Sequence, residues 1–195
     1  MTDYSQLVPL STILPINVNL SSATEPTMIS ILGSPQMPLT TNDQPNRASP
    51  LVKKLLTEKT VSHVQMNGIA PAVDSLVGAL TAAFAANPGL SNVLEGNGML
   101  AVRLRHPTSG VPSTKISNHA WGTAIDFRLH GQPSPGNTHD KIPLYIAALV
   151  PHLHTAGWYS GIAFHDTMHF EVAEETIKTW SAQGKFDVPT VKFFR

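Results

Sequence analysis

The strongest periodic signal in this sequence is a single helix. Val73, Leu76, Val77, Leu80 and Phe84 recur at i, i+3, i+4, i+7 and i+11, which places them on one helical face. Pro71 suits the first turn, Asp74 suits the positive end of the helix dipole, and Asn87-Pro88-Gly89 stops the helix. Shorter pieces surround it. Leu51, Val52, Leu55 and Leu56 form a brief helical face. Met99 to Arg105 reads as a strand that Pro107 ends, with Ala101, Arg103 and Arg105 on one face and Leu100, Val102 and Leu104 on the other. A second strand is expected around Ala124–Leu129, and a third within Phe164 to Val172. A helix of about 144–156 carries Leu149, Val150 and Leu153. A closing helix from Glu174 to Gln183 has acids in its first turn and Gly184 just past its end. There is no internal repeat and no regular βαβ beat, so the expected class is α+β.

Residues 1–50 differ in character: Pro, Ser, Thr and Asn are frequent and charges are few. Their apolar content, from Leu7 through Leu20, is high for a disordered tail, so residues 1–50 are expected to form an extended arm that packs on a core domain at 51–195. Composition excludes several functions. Thirteen basic residues balance thirteen acidic ones, so no basic face is available for nucleic acid. No run approaches the roughly 18 apolar residues of a membrane span. The N-terminus lacks a basic n-region and is broken by Pro9 and Pro15. It makes a poor signal peptide, and synthesis in the cytoplasm with export or release by another route is expected. With zero Cys, a metal must be bound by His and carboxylates. Nothing in the sequence specifies an oligomeric state.

Two segments carry chemistry, Ser117 to Asp126 and Phe164 to Glu171. Gly122 permits a tight turn between His119 and the strand that follows. Ala124 and Asp126 share one strand face, with Ala124 small enough to leave space, so His119 can fold back to meet Asp126. His169, entering another strand, supplies a third ligand. Two imidazoles and one carboxylate leave one zinc position open, the arrangement of a catalytic site. Zinc lowers the pKa of bound water from about 16 to about 7. Asp166, three residues before His169, can sit beside the metal as the base that takes the water proton. Glu171 points the same way as His169 and is a candidate hydrogen-bond partner for a ligand imidazole.

The pattern Ser-x-His-x-x-Gly-x-Ala-x-Asp, followed by Asp-x-x-His-Phe-Glu, resembles the M15 family of zinc D-Ala-D-Ala carboxypeptidases and L-Ala-D-Glu endopeptidases. That family includes phage endolysins and shares a small fold with the Hedgehog signalling domain: an antiparallel sheet with flanking helices. The resemblance covers residues 70–183. It implies Zn2+ on His119, Asp126 and His169, with Asp166 as catalytic acid/base. It also implies substrate binding by Ser117 and by an upstream Arg, either Arg103 or Arg105 on the same face. The implied function is hydrolysis of peptide bonds in peptidoglycan stem peptides, that is, cell wall degradation. Rival readings are action on D-Ala-D-Ala or on a non-cell-wall peptide, and a zinc-bearing binding module without turnover. Asp-x-x-His here, where many carboxypeptidase members have Glu-x-x-His with a Trp before the His, leans towards the endolysin-like branch.

Trp158 and Tyr159 are core residues by default, and the resemblance offers one of them as a wall of the substrate cleft. His152 and His154 read as surface or packing residues, and His63, His106, His130 and His139 fall in loop-like segments. His165 adjoins Asp166 and is a candidate to line the site.

Overall fold

The fold is that of a computed structural model, which describes residues 2–106, 111, 113–134 and 140–188. Pro107 and His139 lie outside the described residues. In chain order the elements are β1 (Leu7–Pro9), α1 (Glu25–Leu32), α2 (Pro50–Leu55), β2 (Leu56–Val61), β3 (Val64–Ile69), α3 (Ala70–Ala86) and β4 (Leu94–Gly96). Then follow β5 (Ala124–Leu129), β6 (Lys141–Pro143), α4 (Leu144–Thr155), β7 (Trp158–Ser160), β8 (His169–Val172) and α5 (Glu174–Ala182). Antiparallel sheets with flanking helices make the fold α+β.

The sheet that matters for function has four antiparallel strands in the order β4-β5-β8-β7. In the β5–β8 register Ala124 lies opposite Glu171, and Asp126 opposite His169. These four side chains therefore share one face, since alternate residues of paired strands point the same way. Ile125 and Phe170 alternate with them and enter the core. Helix α3 begins with Pro71 in its first turn and buries Val73, Leu76 and Leu80 against α4 and the β2–β3 hairpin. Each such apolar side chain contributes roughly 1.5–3 kcal/mol of burial.

The hairpin itself leaves little trace in the sequence. Its turn is Ser62-His63 with Ser62 at φ 55, so no Gly or Asn announces it, and β2 exposes most of its side chains. Strands β4 and β7 have three residues each, too few for a period of two to be visible.

The expected strand from Met99 to Arg105 is corrected by the structure. The segment bends at Met99 and Arg103, and among the described residues its β-pairing is the isolated bridge Leu104 to Ile116. Its backbone groups go to loops instead: Met99 N donates to the Asn67 side chain, Val102 N to Asp43 and Leu104 N to the Thr40 carbonyl. With those amides occupied, its pairing with a neighbour stops at the bonds flanking that bridge, Arg105 N to the Lys115 carbonyl and Ser117 N to the Arg103 carbonyl.

Within residues 1–50, Tyr4, Met28, Leu32, Leu39 and Ala48 are buried in the main core. One piece of this stretch, α1, is helical: it starts at Glu25-Pro26 and ends at Gly33, which adopts φ 81.

Candidate metal centre and cleft

His119 sits in a short 3-10 turn, Asn118–Trp121, closed by Gly122 at φ 64. A side chain on Gly122 would bring its Cβ within 2.9 Å of Gly68 Cα, so the turn lies directly on β3. The His119 Nδ1 is 3.0 Å from the Met99 carbonyl oxygen. A carbonyl can only accept, so Nδ1 carries a proton and Nε2 is the nitrogen left to offer a lone pair to a metal. That Nε2 is buried and has no hydrogen-bond partner, although it lies 3.4 Å from Asp126 Oδ1.

His169 meets the same carboxylate from the neighbouring strand. Its Nδ1 is 3.0 Å from Asp126 Oδ1 and its Nε2 is 3.0 Å from Glu171 Oε2. One ligand atom from each of His119, Asp126 and His169 lies within 4.8 Å of the others. An unpaired buried nitrogen carries a desolvation penalty of about 1–3 kcal/mol. A divalent cation at the centre of this triangle would relieve it, and borderline imidazole and carboxylate donors suit zinc-like metals. The donor set therefore fits a metal.

The electrostatics agree. Burial would raise the Asp126 carboxyl, but the imidazoles of His119 and His169 outweigh it and hold the group well below its ordinary range. Burial would lower His169, yet the carboxylates of Asp126 and Glu171 push it up to about 10 in the metal-free chain. Glu171 is held low despite its burial, by hydrogen bonds from His169, Ser22 and Asn118.

The triangle forms part of the wall of a cleft of about 960 Å³ that Arg103, Arg105, Ser117, Phe164 and Asp166 also line. Asp166 is set by a tight turn: its amide donates to the Gly161 carbonyl at 2.9 Å, and its carbonyl accepts from His169 N at 3.2 Å. Burial, the largest influence, raises the Asp166 carboxyl above its ordinary value. Asp126 adds to this, while His169, His119 and Arg103 offset it in part. Arg103 Nη1 donates to the Leu104 carbonyl, and Arg105 Nε to the Ile116 carbonyl, each at 3.2 Å.

Residues 111–172 match a family described as D-alanyl-D-alanine carboxypeptidase. Over these residues the chain is similar to the M15 family peptidases. No curated protein matches the chain. The matched segment holds the His119–Asp126–His169 triangle, Asp166 and Glu171, whereas Arg103 and Arg105 precede it. A peptidase takes a peptide as substrate. No helix among the described residues is long and apolar enough to cross a membrane.

The structure thus gathers Arg103, Arg105, Ser117, His119, Asp126, Asp166, His169 and Glu171 at one cleft. Trp158 is not there. It is 1% exposed, packs in the core and donates its indole N–H to Ser75 Oγ, so it walls no cleft. Tyr159 is not among the cleft-lining residues either; its ring stacks on Phe164 with centroids 6.1 Å apart. Phe164 is the exposed aromatic of the cleft, and its ring lies 5.7 Å from that of His169. Sequence reasoning passed over it because an aromatic beside a strand is normally core. His106 and His165 also reach the cleft. Gly161 was missed too: a Cβ there would stand 2.6 Å from the Asp166 carbonyl oxygen.

Proposed function

We propose that this chain is a zinc peptidase that hydrolyses peptide bonds in peptidoglycan stem peptides. The observation that carries the reading is the buried, unpartnered His119 Nε2 facing Asp126, with His169 on the same carboxylate, beside a cleft that also holds Asp166. His119 through Nε2, Asp126 through its carboxylate and His169 through Nδ1 would hold the ion. Zinc bound there supplies Lewis acidity, which polarises a carbonyl oxygen and eases deprotonation of water.

The remaining steps belong to the chain itself. Asp166, whose carboxyl burial has made more basic, takes the proton of the attacking water. It returns that proton to the leaving amine nitrogen as the peptide bond breaks. The Arg103 guanidinium, close enough for its charge to act on Asp166, stabilises negative charge developing on the substrate carbonyl oxygen. Arg105, more exposed in the same cleft, binds a substrate carboxylate, and Ser117 lines the floor as a hydrogen-bonding contact. Two guanidinium groups beside the site suit a carboxylate-rich substrate, and stem peptides are of that kind.

Digestion of purified peptidoglycan by the zinc-loaded chain, with the new termini identified by mass spectrometry, tests this. The expected product is a cleaved stem peptide, and an unaltered cell wall would sink the proposal. The family match favours one alternative bond, the terminal D-Ala-D-Ala link. Release of free D-alanine in the same digest would select it.

A further inference from the structure

Glu171 is the charged group that touches the metal triangle without belonging to it. Its Oε2 accepts from His169 Nε2 at 3.0 Å and from Asn118 Nδ2 at 2.7 Å. Its Oε1 accepts from the hydroxyl of Ser22 at 2.5 Å, a residue 149 positions away in the chain. A buried carboxylate is an acceptor at both oxygens, so each oxygen requires a donor. The strand and the His119 turn serve one oxygen, and the N-terminal segment serves the other.

Ser22 is held where it can do this. Ser21 N donates to Glu175 Oε2 and Thr24 N to Glu174 Oε2, each at 2.8 Å. Between them, the Ala23 carbonyl accepts from Asn118 Nδ2 at 3.1 Å. Backbone bonds on both sides fix the hydroxyl over Glu171, and Asn118 ties the same segment to the turn that carries His119.

We infer that Ser22 is a positioning residue of the metal centre: its hydroxyl fixes the Glu171 carboxylate, which holds the His169 ring with Nδ1 turned to Asp126. The inference rests on the proposed metal site. Without the hydroxyl, Glu171 Oε1 is buried and undersatisfied, and the carboxylate turns to recover a donor. The proton it holds on His169 Nε2 then loses its fixed acceptor, and the ring loses the constraint that aims Nδ1. Groups that orient a ligand imidazole typically contribute 10- to 100-fold in metal affinity. Ser22 acts one bond further out, so the lower end is expected.

The test compares the full-length wild type with S22A, S22T and Glu175→Ala. Zinc affinity is measured by competition with a chromophoric chelator, and the cobalt-substituted forms are compared by visible absorption. S22A is expected to bind zinc about tenfold more weakly and to shift the cobalt spectrum. S22T, which keeps the hydroxyl, is expected to restore both. Glu175→Ala keeps the hydroxyl and removes one of the three bonds that hold its segment, so it is expected to lose less affinity than S22A. If S22A binds zinc as tightly as wild type with an unchanged cobalt spectrum, the inference is overturned, even if metal-free S22A melts lower. A loss in S22T equal to that in S22A also overturns it, since the effect then belongs to the segment and not to the hydroxyl. A wild-type chain that binds no zinc overturns the metal reading itself and this inference with it.

Discussion

The Nδ1–H of His119 donates to the Met99 carbonyl at 3.0 Å, so the loop that leads to Arg103 also selects the tautomer that aims Nε2 at Asp126. Orientation of a candidate ligand and placement of a candidate substrate contact are therefore linked through one backbone segment. His119→Ala should weaken zinc binding by more than about 100-fold, exceeding the usual effect of groups that merely orient a ligand. Metal content after gel filtration measures this, and a full complement of zinc in the variant would reject the ligand assignment.

Asp166→Asn separates binding from chemistry. The amide cannot take a proton, so kcat/KM should fall by about 10²- to 10⁴-fold while zinc content stays at the wild-type level. Retained turnover would remove Asp166 from the mechanism.

The raised Asp166 carboxyl gives the metal-free protein a pH dependence of known sign. In the metal-free protein the folded state holds this proton more tightly than the unfolded state does. Ionised Asp166 therefore costs stability, and the cost grows as pH rises from 3.8 through the folded-state value. Metal-free Asp166→Asn should melt higher than the parent at neutral pH, with the gap closing as pH falls to 3.8. A lower melting point for the variant at neutral pH contradicts this account.

Gly161 faces the backbone of the turn that carries Asp166. Any Cβ there would sit 2.6 Å from the Asp166 carbonyl oxygen and 2.9 Å from His169 Cβ. Gly161→Ala should destabilise the protein by about 1–3 kcal/mol in urea unfolding, because backbone rather than a flexible side chain must move. It should also reduce turnover, since Asp166 and His169 shift together. Wild-type values of both would show that the turn has slack.

Glu174 ties the N-terminal segment to α5. A hydrogen bond from Lys178 and, against some burial, one from the Thr24 amide draw its carboxyl down to about 2. A lowered folded-state value means that this stabilisation is complete above pH 4.5 and is lost as pH falls from there towards about 2. Glu174→Gln should lower stability by no more than about 1 kcal/mol at neutral pH, as expected for a solvent-screened pair. Calorimetry should find variant and parent converging in acid; a constant difference across that range would exclude the ionised carboxylate as its cause.

The legible parts of this protein were those encoded by near neighbours. Val73, Leu76 and Leu80 marked α3 because helical spacing shows within a few residues. Ala124 and Asp126 marked a strand face for the same reason, and Gly122 marked the turn before it. The alternation of Leu100, Val102 and Leu104 misled, because the segment bends at Met99 and Arg103 and its amides are held by Asn67, Asp43 and Thr40. Trp158 was undecidable beside Tyr159 until Ser75 took its indole N–H in the core.

By itself the sequence determined the donor inventory: no thiols, two imidazoles and a carboxylate at workable spacings, with an acid near one of them. Only the tertiary structure decided that Asp126 and His169 stand opposite each other across two strands, and that Ser22 reaches Glu171 from the far end of the chain. The reason is physical. Periodicity records how a residue relates to its own helix or strand, whereas pairing between distant strands depends on how the whole core closes, and a hydroxyl that donates across 149 residues leaves no pattern in the sequence around it.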